Sequence, residues 1–370
     1  MQLLMAGAVL LIFLCAAGCG SSGVNITTTT PLSTNLFIYI VGQDSQTIFQ
    51  FKQDSTNTIT TLTGSSASTT LRPAAILVHP SKNFVYVANF GSNNVTKYSR
   101  DQTSGLLTPL GSVPPTSVGT GPIALATDSK GQFLYVLNQG SGSISAFSVD
   151  TNRGLLTELA GSPFATQPNP TALAVSQSSN LLYVANGTLH SVSAFSIGSD
   201  GTLSAVTGSP FDTGAGTNIS WVAVDPKGRF VYAADFANSN IVGFSIQSGG
   251  ALSPLSGSPF PAGGIQPAGL SIDSTGTFLY VANQGSNSVS GLTISSAGAL
   301  TAIAGSPFPS GGAQTTFVTV DATNKFVYDT NLSSQNIGAS SINSTTGALT
   351  QLSGSPFPVT VRPSWIAASN

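Results

Sequence analysis

Short apolar runs of five to seven residues recur along the chain, separated by stretches of Ser, Thr, Gly, Asn and Pro. Typical runs are Phe84-Val85-Tyr86-Val87-Ala88-Asn89 and Tyr280-Val281-Ala282-Asn283. Seven of the eight tyrosines mark them: Tyr39, Tyr86, Tyr135, Tyr183, Tyr232, Tyr280 and Tyr328, at intervals of 47, 49, 48, 49, 48 and 48 residues. A fixed period of this size means one supersecondary unit copied along the chain, each copy burying its faces against its neighbours.

The third copy shows the unit. Residues 132–137 predict a strand ending at Asn138, a turn follows, and residues 143–149 predict a second strand. A Gly turn leads to a short strand over 155–159, and the loop Gly161-Ser162-Pro163-Phe164 exits toward a strand over 171–175. Four short strands per unit, punctuated by Gly, Asn, Asp and Pro, are therefore expected. These strands are apolar on both faces, so each sheet must be covered on both sides, as blades are in a β-propeller. No long segment has a 3.6-residue period, which argues against a helical solenoid.

The chain starts and stops out of phase with this unit. It opens at Leu36-Phe37-Ile38-Tyr39-Ile40, a second strand, and closes at Arg362-Pro363-Ser364-Trp365-Ile366-Ala367-Ala368, a first strand. The fold expected is all-β, a seven-bladed β-propeller over residues 36–370, in which the C-terminal strand completes the N-terminal blade. Gly-Ser-Pro-Phe loops begin at Gly161, Gly208, Gly257, Gly305 and Gly354. Five copies on five blades mark turn architecture: Gly permits a positive φ, Pro fixes its own, and each Phe is placed to plug a seam between blades.

Residues 1–18 have the character of an export signal, with an apolar stretch from Leu3 to Leu14 too short to span a bilayer comfortably. It leads into Ala16-Ala17-Gly18-Cys19, which resembles a bacterial lipobox and implies lipidation of Cys19; a plain secretory signal cut nearby is the alternative. Residues 19–35 form a Ser/Thr-rich tether. Both cysteines, Cys15 and Cys19, lie in this leader, so the domain has no disulfide. An exported protein of the cell envelope is expected, held to a membrane on its periplasmic or surface side. Only 6% of residues are charged and the net charge is −2, which excludes a nucleic-acid partner that would need clustered Lys and Arg.

The Tyr-Val-Ala-Asn strands (Tyr86 to Asn89, Tyr183 to Asn186, Tyr280 to Asn283) and the Asp225-Pro226-Lys227-Gly228 turn resemble the YVTN-repeat and lactonase-type seven-bladed propellers, which include the propeller form of 6-phosphogluconolactonase. The resemblance covers residues 36–370. It implies, for hydrolytic members, a Gly-Pro-Arg-His motif where a blade enters its innermost strand. Here Gly121-Pro122 is followed by Ile123-Ala124, Arg72-Pro73 by Ala74-Ala75, Asn169-Pro170 by Thr171-Ala172, and Gln266-Pro267 by Ala268-Gly269. In the remaining blades the histidine position is Trp221, Phe317 and Trp365.

Other chemistry is sparse: two histidines, one glutamate and twelve aspartates. His79 stands in the turn position held elsewhere by Asp128, Asp225, Asp273 and Asp321. His190 lies in a loop at the end of the ring where the innermost strands begin, either solvated or facing a pocket. Glu158 falls on an outermost strand, and Asp235 reads as a turn former. No metal-ligand cluster and no phosphate loop is present in the sequence, so no cofactor or metal is expected.

The residues opening the seven innermost strands are Arg72, Gly121, Asn169, Asn218, Gln266, Gln314 and Arg362. In a closed ring they surround one mouth of the axial channel, with Arg362 and Arg72 on adjacent blades. Paired guanidiniums suit a carboxylate or phosphate, and Trp221, Trp365 and Phe317 among amides suit a sugar or other flat polar ligand. The alternative is that the arginines satisfy loop carbonyls and the aromatics fill space. The function expected is a binding or scaffold module for a small polar or anionic ligand or a protein partner. The competing expectation is a lactone hydrolase, with Arg72 and Arg362 polarising the carbonyl and His190 or a water as base.

Overall fold

In the computed structural model, residues 35–63, 67–110, 114–214 and 216–369 are described; the expected signal segment, Cys19 and nearly all of the expected tether lie outside them. Seven antiparallel sheets of the same design follow one another in sequence. Blade 2 is typical. Its innermost strand Pro73–Val78 pairs with Phe84–Asn89, which pairs with Asn94–Arg100. The outer edge is covered by two short pieces, Leu107–Pro109 and Thr116–Ser117. The expected fourth strand is thus split into two short pieces in every blade.

Blade 1 is built from both chain ends. Pro363–Ser369 pairs antiparallel with Leu36–Gly42, from Phe37 opposite Ser369 to Gly42 opposite Pro363. All seven residues of Leu36–Gly42 are buried. The second strand of each blade is likewise apolar and buried, because a neighbouring blade covers each of its faces.

The repeated tyrosines are the seam latches. Tyr86 Oη donates to Gly154 O (3.1 Å) in the next blade, and Tyr39, Tyr135, Tyr183, Tyr232 and Tyr280 do the same to Gly105, Gly201, Gly250, Gly298 and Gly347. Burial pushes these phenols up, so they remain donors at ordinary pH. The glycine is required twice over. Gly105 has φ +76°, and a Cβ there would lie 2.1 Å from the Phe37 ring. Where Tyr328 closes the ring onto blade 1, Asn57 (φ 66°) replaces the glycine, and the acceptor is Gln53 Oε1.

The Gly-Ser-Pro-Phe loops sit at the break in the outer strand. Each Ser hydroxyl accepts the N–H of the third strand that the bulge leaves unpaired: Ala146 N to Ser162 (3.0 Å), Ala194 N to Ser209 (2.9 Å), and equivalents at Ser258, Ser306 and Ser355. Phe164, Phe211, Phe260, Phe308 and Phe357 pack into seam clusters. Blades 1 and 2 lack the motif, and a long side chain fills the gap. Where five blades have Ala or Gly, these two have Gln50 and Lys97, both buried. Gln50 Oε1 accepts Leu107 N (3.0 Å), and Lys97 Nζ donates to Pro114 O (2.9 Å) and Thr116 Oγ1 (2.8 Å). Desolvation lowers the pKa of that ammonium.

Candidate functional site

The mouth is shaped first by backbone needs. Arg72, Gly121, Asn169, Gln266 and Gln314 are left-handed, with φ between 51° and 63°. The carbonyls of Arg72, Gly121, Gln266 and Gln314 turn back to cap the second strand; Arg72 O, for example, accepts Phe90 N (2.9 Å), and Gln266 O accepts Gln284 N (2.9 Å). Past that turn most innermost strands carry a β-bulge, as between Pro73 and Ala75. Gly and Asn tolerate this conformation, which accounts for their presence in the series independently of any ligand. Asn218 is held differently: its N–H donates to Asp235 Oδ1 (3.0 Å), so the buried Asp235 fixes the connector as well as its own turn.

The third residue of each innermost strand decides what occupies the axis. Four blades place Ala or Gly there: Ala75, Ala124, Ala172 and Gly269. Blades 5, 7 and 1 place Trp221, Phe317 and Trp365, and these three rings meet. Phe317 and Trp365 have centroids 4.5 Å apart, Trp221 and Trp365 5.0 Å, and Trp221 and Phe317 5.3 Å. Side chains from non-adjacent blades can touch only across the channel, so they plug it. Trp365 also packs against clusters that reach from blade 1 to blade 4. Phe317 is buried, whereas Trp221 and Trp365 keep part of their surface open.

One residue earlier on the strand, side-chain hydroxyls stitch neighbouring blades around the plug. Thr171 Oγ1 donates to Ile219 O (2.7 Å), Ser220 Oγ to Pro267 O (2.7 Å) and Ser364 Oγ to Pro73 O (3.4 Å). Blades 2, 3 and 6 have Ala74, Ile123 and Ala268 at this position and cannot form such a link, and Thr316 of blade 7 meets Thr330 of its own blade instead. Between blades 2 and 3 a cavity of about 230 Å³ opens, lined by Gln43, Arg72, Ala74, Phe90, Ile123 and Gln139.

Arg72 and Arg362 do fall on adjacent blades at the same end, both exposed. Their guanidiniums are engaged separately. Arg72 lies over the Phe90 ring, 4.8 Å from its centroid. Arg362 Nε stands 3.9 Å from Asp44 Oδ2, a half-exposed and hence weak pair. The amides differ too: Gln314 Oε1 accepts Ser333 Oγ (2.6 Å) at the rim, and Gln266 lies beside Gly285.

His190 is on blade 4, two blades round from Arg72. It is half-buried rather than free in solvent, and its Nδ1 faces Thr217 O. A carbonyl can only accept, so Nδ1 carries a proton there. Among the described residues, no hydrogen bond joins His190 to either arginine. His79, at the opposite end, is a turn residue that also links two blades. Its Nδ1 accepts Ser81 N–H (3.1 Å), so Nε2 donates to Gly131 O (2.8 Å) in the next blade. Glu158 is exposed and accepts Ser162 Oγ (2.9 Å). Among the described residues, no cluster of three His, Cys, Asp or Glu could hold a metal.

Sequence reasoning missed Gln43, Phe90, Ile123 and Gln139. The signal was available, because Gln43, Phe90 and Gln139 are the same loop position in three successive units, 47 and 49 residues apart. The three large apolar residues most exposed among those described, Leu71, Leu189 and Ile265, also lie on loops at this end.

A closed seven-bladed propeller with a plugged axis and a low-charge mouth is thus the kind of molecule in hand. The profile described as "Lactonase, 7-bladed beta-propeller" matches residues 32–168, 159–258 and 255–366, and the chain belongs to that family. No curated protein matches the sequence significantly. Among solved structures, the Pseudomonas aeruginosa periplasmic gluconolactonase superposes with a TM-score of 0.77 at 18% identity, over 91% of this chain and 99% of that one. A Bacteroides uniformis protein provisionally named a 6-phosphogluconolactonase gives 0.77 at 18% identity, over 90% and 99%. A Lactobacillus plantarum protein gives 0.76 at 20%, over 91% and 99%. At these identities the likeness speaks for the fold alone.

Proposed function

We propose that this chain is an exported, lipid-anchored propeller that binds a small anionic or polar ligand at its mouth without catalysing a reaction on it. The observation that carries this reading is what stands at the family's histidine positions. No imidazole occupies any of the seven, and three of them hold the aromatic rings that plug the channel. In this reading Arg72 anchors the ligand's charge, since Arg362 is turned toward Asp44. The partly open faces of Trp221 and Trp365 supply an apolar platform beside the rim amides Asn169, Asn218, Gln266 and Gln314.

Lactone hydrolysis is the second reading, favoured by family membership and by the periplasmic lactonase among the structural neighbours. In that reading Arg72 and Arg362 polarise the lactone carbonyl, and His190 Nε2 or a water provides the base. The two readings separate in one pair of measurements. The protein is incubated with a panel of aldonolactones and acid release is followed by pH indicator. In parallel, sugars and organic acids are titrated while tryptophan fluorescence is recorded, since both tryptophans sit in the plug. Binding that shifts the fluorescence without lactone turnover supports the module. Turnover that disappears in the Arg72→Ala, Arg362→Ala double variant establishes the hydrolase instead.

A further inference from the structure

We infer that the cavity between blades 2 and 3 is a binding site for a small monocarboxylate with a short or flat apolar body. This rests on the reading of the mouth as a ligand-binding end, and it identifies both where the charged group goes and what the rest of the ligand must be.

The cavity lies where the innermost strands of blades 2 and 3 carry no hydroxyl at the stitching position. In blades 1, 4 and 5 a Thr or Ser there donates to the carbonyl opening the next strand. Ala74 and Ile123 cannot, nor can Ala268 in blade 6, and the space between Ala74 and Ile123 is floored by aliphatic carbon. A fully hydrated sugar gains nothing from such a floor, whereas an apolar body is drawn to it. At about 230 Å³ the cavity is below the usual size of drug-like pockets, so the ligand is small.

The polar groups converge from three blades. Gln43 comes from the second-to-third strand loop of blade 1, Arg72 and Phe90 from blade 2, and Gln139 from the corresponding loop of blade 3. Phe90 holds the Arg72 guanidinium against its face. Stacking occupies one face of the planar group and leaves its edge donors free to fork onto a carboxylate. Among the described residues, no carboxylate lies within ion-pair distance of Arg72, in contrast to Arg362 and Arg229. The two glutamine amides can donate to a carboxylate or accept from a neighbouring hydroxyl, so a 2-hydroxy or 2-oxo acid is accommodated as well as a simple one.

The test is isothermal titration of the full-length protein with four probes: benzoate, benzyl alcohol, gluconate and inorganic phosphate. Benzoate is expected to bind, with benzyl alcohol, gluconate and phosphate each weaker by about tenfold or more, because each lacks either the charge or the apolar body. Arg72→Met and Ile123→Trp, the second filling the cavity, should each weaken benzoate by about tenfold or more, Arg72→Lys should fall between, and Arg362→Met should stay within about twofold. Should Ile123→Trp fail to fold, judged by its melting temperature, Ala74→Leu fills the same space from the other side. Phosphate or gluconate binding as tightly as benzoate overturns the ligand class. Benzoate binding that survives Arg72→Met and a filled cavity but is lost in Arg362→Met overturns the location while leaving the mouth reading intact. If the fluorescence titrations find a mouth ligand and benzoate does not bind, this inference alone fails; if neither experiment finds a ligand, both fail.

Discussion

Asp329 is the residue whose replacement tests the packing logic most sharply. It occupies the fourth position of the strand Phe326–Asn331, where the other blades have Ile40, Val87, Val136, Val184, Ala233 and Val281. It is accommodated because Gly338 stands opposite it in the third strand: a Cβ on Gly338 would lie 2.2 Å from the carboxylate. The side chain is buried, and the polar groups around it are neutral. Asn331 Nδ2 donates to its Oδ1 (2.8 Å), and Asn331 in turn accepts Thr315 Oγ1 (2.8 Å). Desolvation pushes the acid up from 3.8 to about 7, with the bonds from Asn331 and Gly338 offsetting only part of the effect. The folded protein therefore holds this proton more tightly than the unfolded chain does. Below pH 3.8 both states are protonated and ionisation costs nothing. As pH rises toward 7 the unfolded chain gains by ionising first, and above 7 the full penalty persists. At about 1.4 kcal/mol per pH unit the penalty totals about 4 kcal/mol, of which about 3 kcal/mol develops between pH 5 and pH 8. Asp329→Asn keeps the shape and an acceptor for Asn331 while removing the titration. Urea unfolding followed by tryptophan fluorescence at pH 5, 6, 7 and 8 should show wild type losing about 3 kcal/mol relative to the variant across that range. Taking the difference cancels every contribution common to both proteins. An unchanged difference across the range, or a variant less stable than wild type at pH 8, would refute the reasoning.

The remaining predictions concern the ring itself. Tyr135→Phe leaves Gly201 O without its donor in a buried seam, and should cost about 1–3 kcal/mol in equilibrium unfolding. Gly105→Ala forces a Cβ into the Phe37 ring at φ +76° and should destabilise severely, whereas Gly249→Ala, at φ +81° with nothing within 4 Å, should cost only about 1 kcal/mol; comparing their melting curves separates steric from backbone effects. Deleting the last ten residues removes the innermost strand of blade 1 and uncovers Leu36–Gly42, so the protein should aggregate or unfold by size-exclusion chromatography and limited proteolysis; a cooperative monomer would count against the closure.

The architecture was legible in the chain alone, because it is periodic. A tyrosine every 47 to 49 residues states the strand and the repeat, whereas its bond to a turn glycine of the next blade came only with the fold. The phase offset between Leu36 and Trp365 states how the ring closes. Repetition also made the Gly-Ser-Pro-Phe loop readable as structure, although the hydroxyl it lends to the third strand was not. Which residues meet around the axis emerged only on folding, since those contacts join positions that share no local pattern. Trp221, Phe317 and Trp365 are spread over 145 residues and become one plug because three large rings fill a space that Gly269 and three alanines leave open. The open mouth pairing of Arg72 with Arg362 was inferred from adjacency alone. Adjacency places the backbones side by side, but the guanidiniums follow their nearest partners, Phe90 and Asp44. The cavity beside Arg72 brings together residues of three blades, Gln43, Arg72 and Gln139 among them, which only the packed seam makes neighbours.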